Sequence, residues 1–263
     1  MSFGMLDFDS IDDWAPKLAA AVSPHVPDSV VQKLVAAAPK SIEDAQARLF
    51  DLTVRDAVID TTLTWIRSTK IAGYHGSRLT DAEMASVRAT GLIPLKAEGR
   101  RHRLIRALSP HSRWHEVAEQ LDAAIREVAR HREDQVHLTL SRAGLTEGFN
   151  HYLTYGAEFD KHVASALLGP DGKELLACDG DPRVIQVAVP GPLALDAAHL
   201  FFSIDDVRAR GDIPHLVNQF LMAWSYRLAH PGFQCRTMKV DCGMIFRSTV
   251  PAAWIVDFDT LAD

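Results

Sequence analysis

Through the first 68 positions apolar side chains recur at helical spacing, and three runs open on capping and acidic residues: Ser10-Ile11-Asp12-Asp13, Pro27-Asp28-Ser29 and Ser41-Ile42-Glu43-Asp44. From Asp56 the positions Val58, Ile59, Leu63 and Ile66 continue such a stripe toward Ile71. The pattern predicts a helical layer over 1–68. Between Lys70 and Leu79 the texture changes to a short apolar segment with two glycines, which reads as a strand running into a sharp turn. Thr80 and Glu83 have the spacing of a capping box, Leu79 and Met84 occupy the two staple positions, and Gly91 is placed to end the helix they start.

Residues 96–106 (KAEGRRHRLIR) are basic and poorly periodic, which predicts an exposed loop. From Ser112 to about Arg132, Trp114, Val117, Ala118, Leu121, Ala124, Ile125 and Val128 share one face of an amphipathic helix. Gln135–Leu140 alternates like a strand, and Tyr155–Leu168 begins in a glycine turn and continues as a helix. Further strands are expected at Val184–Val189, Met238–Phe246 and Trp254–Phe258, with turns at 169–173, 179–182 and 190–192. Strands and helices mix without regular alternation, so the expected class is α+β rather than a doubly wound sheet.

Composition narrows the function classes. With 263 residues, 47% of them hydrophobic, the chain can bury one large core or one core with a satellite. A formal net charge of −6 argues against indiscriminate coating of nucleic acid or anionic membrane. No apolar run reaches membrane-spanning length and the first residues are acidic, so the expected location is cytoplasmic, with no membrane partner. Cys178, Cys235 and Cys242 are odd in number, far apart and outside any CxxC pair, so they are expected to be buried, inert thiols, with neither disulfide nor metal site.

The stretch richest in chemistry is Gly73-Tyr74-His75-Gly76-Ser77-Arg78. A histidine between an apolar strand and a Gly-Ser turn sits at a strand end with exposed backbone, where Gly76 lets another group approach the main chain and hydrogen-bond to it. Short-range order then adds to it. His75-Gly76-Ser77, the helix from Thr80 to Thr90, Gly91-Leu92, Val136-His137-Leu138-Thr139-Leu140-Ser141, Tyr152-Leu153-Thr154-Tyr155-Gly156 and Val250-Pro251-Ala252-Ala253-Trp254-Ile255-Val256 follow one another. In that sequence they resemble the ADP-ribosyltransferase fold of poly(ADP-ribose) polymerases and diphtheria-type toxins over residues 70–263.

The resemblance implies a split antiparallel β core over 69–263, with residues 1–68 as a helical layer, and NAD as the substrate. It makes His75 the group bonding a ribose hydroxyl, Gly76 the backbone partner of the nicotinamide amide, and Tyr155 the ring stacked on nicotinamide. Tyr74, Ser77, Arg78, His137 and Ser141 join the implied NAD pocket. The chain departs from the family at two places: His137 stands where Tyr is common, and Ala253 stands where the terminal strand carries its glutamate. Glu158, one helical turn past Tyr155, is the carboxylate expected to replace it. The implied activity is transfer of ADP-ribose from NAD to a macromolecular acceptor, protein or nucleic acid. Two other classes remain: an inactive nucleotide-binding module, favoured by Ala253, and an RNA 2′-phosphotransferase-like enzyme, favoured by the Arg100–Arg106 cluster, which has arginine forks suited to phosphate.

Overall fold

A computed structural model describes residues 4–261, without the side chains of 130–132. Strand β1 (Met5–Leu6) precedes four helices: α1 (Ile11–Val22), α2 (Asp28–Ala36), α3 (Ile42–Asp51) and α4 (Arg55–Arg67). Next come β2 (Lys70–Leu79), α5 (Asp81–Thr90), α6 (Ala97–Leu108), α7 (Trp114–Val117), α8 (Leu121–Arg132) and β3 (Val136–Thr139). The chain continues through α9 (His151–Tyr155), α10 (Glu158–Leu168), α11 (Pro170–Ala177), β4 (Asp181–Pro190), α12 (Gly191–Ala197), α13 (Ile204–Ala209) and α14 (His215–Ala229). It ends with β5 (Gly243–Phe246) and β6 (Ile255–Thr260).

The class is α+β, as the mixed pattern predicts. The strands form one six-stranded sheet in the order β5-β3-β2-β4-β6, with β1 pairing beside β2, in place of the split core that the resemblance implies. β1 runs parallel to β2, Met5 opposite Lys70 and Leu6 opposite Ile71, while β4 and β6 are antiparallel from Arg183–Thr260 to Val187–Ile255 with a register shift after Gln186.

The compact units do not follow a cut at residue 68. One comprises Met1–Gly73, Thr139–Gly144 and Ala188–Met244; the other comprises Tyr74–Leu138, Leu145–Val187 and Ile245–Asp263. In the first, the core is aromatic: Trp14 lies edge-on to Phe220 at 4.9 Å, Phe220 to Phe8 at 5.4 Å and to Trp65 at 5.6 Å. The indole N–H of Trp14 donates to the Phe8 carbonyl at 3.0 Å, satisfying the one polar atom that would otherwise be buried bare. Helix α14, which packs on α2, α3 and α4, buries Leu216, Val217, Phe220, Leu221 and Trp224.

In the second unit α6, α8, α10 and α11 share a core of Leu104, Leu108, Leu121, Ile125, Phe159, Val163, Leu167 and Leu176. The Thr80 box forms as expected: the Thr80 hydroxyl accepts from the Glu83 N–H, and the Glu83 carboxylate accepts from the Thr80 N–H at 2.8 Å. Such a cap contributes about 1 kcal/mol. Gly91 ends the helix at φ 86°, and a Cβ there would meet the Val250 carbonyl oxygen at 2.1 Å. Only glycine allows Leu92 to bridge Val250, which closes the chain beside the cavity described below.

The expected loop at 96–106 is instead helix α6. Its apolar residues Leu104, Ala107 and Leu108 are buried, and so is Arg103, because carboxylates from other elements neutralise the arginines that made the segment read as a loop. The expected turn at 169–173 holds the start of α11, and the one at 190–192 the start of α12. The helix expected from 112 to 132 is interrupted by a 3-10 turn at Ala118–Gln120. No helix among the described residues is long and apolar enough to cross a membrane.

Candidate active site

The second unit contains a cavity of about 310 Å³ lined by side chains that lie far apart in the chain, among them His75, Ser77, Glu83, Arg100, His137, Tyr152 and Glu158. Strand β2 brings His75 beside β3, where its Nδ1 lies 2.9 Å from the His137 carbonyl oxygen. A carbonyl only accepts, so Nδ1 carries the hydrogen and Nε2 of the neutral ring is an acceptor. Burial holds the His75 pKa below its ordinary value, only partly offset by that bond, and the nearby His137 and Arg100 push in the same direction. The ring therefore stays neutral near pH 7.

Gly76 also lines the cavity, yet its lack of a Cβ serves packing: a Cβ would meet Leu145 Cδ1 at 2.8 Å. Tyr152 sits on α9 with its ring 4.1 Å from His151 and 5.7 Å from His137, centroid to centroid. After α9 the chain turns at Gly156, whose φ is 76°, and enters α10 at once. Glu158, the first residue of α10, therefore reaches the same cavity, with His151 Nε2 at 3.2 Å from its carboxylate.

Several expected pocket residues lie elsewhere. Tyr155, the last residue of α9, is not among the lining residues, whereas Tyr152 is. The two tyrosines are three positions apart in a one-turn helix, and spacing alone does not choose between them. Arg78 is buried and donates to the Gly180 carbonyl through Nε at 3.1 Å and Nη2 at 2.6 Å, so it ties the end of β2 to the turn before β4. Tyr74 is also buried, its hydroxyl accepting from Gln186 at 3.2 Å, and it does not line the cavity. Ser141, in the first unit, donates to Asp9 at 2.7 Å and accepts from the Gly144 N–H at 2.9 Å, a local structural role. Ala253 is exposed on a 3-10 turn before β6, so the position matched to the family's glutamate is neither in the terminal strand nor in the cavity wall. Of the three cysteines, Cys178 is exposed, against expectation. Cys235 and Cys242 are buried, which pushes the Cys242 thiol up to about 12 and leaves it un-ionised.

The basic helix α6 reaches the cavity through Arg100, while Arg103 and Arg106 face carboxylates. Arg103 donates to Glu83 at 2.8 Å and to the Arg78 carbonyl at 2.7 Å, with Asp160 and Asp179 at 3.3 and 3.4 Å from its Nε. Arg106 forks onto Asp179. Burial alone would raise the Glu83 pKa, but the Thr80 N–H and hydroxyl and the Arg103 charge outweigh it, leaving Glu83 at about 2. Because the folded value lies below the ordinary 4.5, ionised Glu83 stabilises the fold above about pH 4.5 and loses that contribution as the pH falls toward 2. Urea melts at pH 6 and pH 2.5 should therefore differ more for the wild type than for Glu83→Gln, by up to roughly 3 kcal/mol. Equal differences would remove this role.

Comparison with protein-family models, curated proteins and solved structures finds no match.

Proposed function

We propose that the cavity takes NAD and that the protein transfers ADP-ribose from it to a macromolecular acceptor. The observation that carries this reading is the convergence of His75, Tyr152 and Glu158, from β2, α9 and α10, on one cavity that Gly76 and Ser77 also line, within β2 and not in the sharp turn expected there. In the reaction the bond from ribose C1′ to the nicotinamide nitrogen breaks and its electron pair leaves with nicotinamide. An acceptor nucleophile forms the new bond to C1′ and gives up its proton to solvent, nicotinamide leaving as the neutral molecule. Neutral His75 accepts a ribose hydroxyl at Nε2, the Tyr152 face covers the nicotinamide ring, and the Glu158 carboxylate stabilises the positive charge that develops on the sugar.

The phosphotransferase reading keeps Arg100 alone of the cluster that favours it, because Arg103 and Arg106 are engaged by Glu83, Asp160 and Asp179. The binding-module reading keeps one supporting observation, the exposed Ala253 outside the cavity.

Nicotinamide release from NAD by the purified protein, with cell lysate as acceptor source, tests the proposal. Tyr152→Ala should raise the KM for NAD about 10-fold or more, in line with the 1–3 kcal/mol of an aromatic–base stack. Tyr155→Ala should leave KM within about twofold. NAD binding without nicotinamide release would favour the binding module, and equal effects of the two substitutions would remove Tyr152 from the ring site.

A further inference from the structure

We propose that Arg100 is the residue by which this cavity selects a phosphate-bearing ligand, with its free guanidinium edge contacting the pyrophosphate of a dinucleotide. The inference rests on the NAD reading and adds to it a specificity determinant.

Helix α6 carries Arg100, Arg101, Arg103 and Arg106, but only Arg100 lines the cavity. Arg101 pairs with Asp122, Arg106 with Asp179, and Arg103 with Glu83 and the Arg78 carbonyl. Arg100 places Nε 2.9 Å from Asp160 and Nη2 on the other oxygen of the same carboxylate, which is fully buried. This fork fixes the guanidinium plane, and Nη1 has no protein partner among the described residues. A phosphate meeting a cation already held in place costs little side-chain entropy.

Charge supports the same assignment. Asp160 also lies 3.3 Å from Arg103 Nε, so one carboxylate is shared between two guanidiniums. Burial works against its charge, but Asp160 outweighs it and Glu83 and Asp179 add to the effect, so Arg100 stays protonated. The anions that share the cavity wall are themselves occupied, Glu83 with Thr80 and Arg103, and Glu158 beside His151.

Calorimetric titration of the full chain with ADP-ribose, inorganic pyrophosphate and nicotinamide tests the assignment. Arg100→Gln should weaken ADP-ribose about 10–100-fold, the range of a charge-assisted hydrogen bond, and leave nicotinamide within about twofold. Arg100→Lys should fall between, because it keeps charge but not the fork. If Arg100→Gln does not fold, the wild type still decides: it should bind NAD at least about 10-fold more tightly than nicotinamide riboside. Equal ADP-ribose affinity in wild type and Arg100→Gln, or equal NAD and nicotinamide riboside affinity in the wild type, overturns the proposal. Loss of pyrophosphate binding in Arg100→Gln, in a protein that releases no nicotinamide, keeps Arg100 and removes the transferase reading. Nicotinamide release with unchanged ADP-ribose affinity does the reverse.

Discussion

Glu158→Gln should lower the rate of nicotinamide release by about 10²–10³-fold while changing NAD affinity by less than about threefold. The substitution keeps the size of the side chain and most of its hydrogen bonding. It removes the charge, which meets the substrate most strongly when the sugar becomes positive. The loss should therefore appear in kcat and not in KM. Glu158 begins α10 and shares the cavity with His75, so the charge is placed by the turn at Gly156 and does not depend on the terminal strand. Ala253→Glu, by the same geometry, should give no gain, because position 253 is exposed and outside the cavity wall. Single-turnover measurements with NAD decide both. Full activity in Glu158→Gln would sink the carboxylate assignment, and a gain in Ala253→Glu would show that the terminal turn reaches the sugar after all.

Asp160→Ala should destabilise the protein by about 2–3 kcal/mol, the cost of losing charge-assisted hydrogen bonds to a partly buried cation. Asp160 is fully buried and receives Arg100 through two hydrogen bonds while lying 3.3 Å from Arg103 Nε. Arg103 is itself only 3% exposed. Removing the carboxylate leaves Arg103 with Glu83 and Asp179 but takes away the one carboxylate that Arg100 forks onto. Urea denaturation monitored by circular dichroism measures the difference, with Asp160→Asn as the variant that keeps the shape. A loss below about 1 kcal/mol would mean that water reaches the network freely.

Local signals carried the N-terminal helices, the Thr80 cap and the Gly91 stop. Each depends on groups within four residues of one another, so spacing contains the physics. Helix α14 packs on α2, α3 and α4 through Leu216, Val217, Phe220, Leu221 and Trp224, while His215, Asn218 and Gln219 mark its less buried side. Helix α6 is not legible in its sequence, because its basic residues look solvated until Glu83 of α5, Asp160 of α10 and Asp179 of the bend after α11 meet them. Of the residues that the sequence points to, His75, Gly76, Ser77, His137 and Glu158 line one cavity. Tyr74, Arg78, Ser141 and Tyr155 lie outside the cavity wall, because a residue's neighbours in sequence say nothing of which side chains turn inward.

By itself the sequence determined the α+β class, the starts of α3 and α5 and the chemical character of the segment around His75, since these follow from periodicity, capping and residue type. Tertiary structure alone decided which tyrosine reaches the cavity, which of the α6 arginines keeps a free edge, and that position 253 lies outside. Those outcomes depend on contacts between residues tens of positions apart, such as Arg100 with Asp160 and His75 with His137. Such contacts form only once buried apolar surface has fixed the helices and strands that present them.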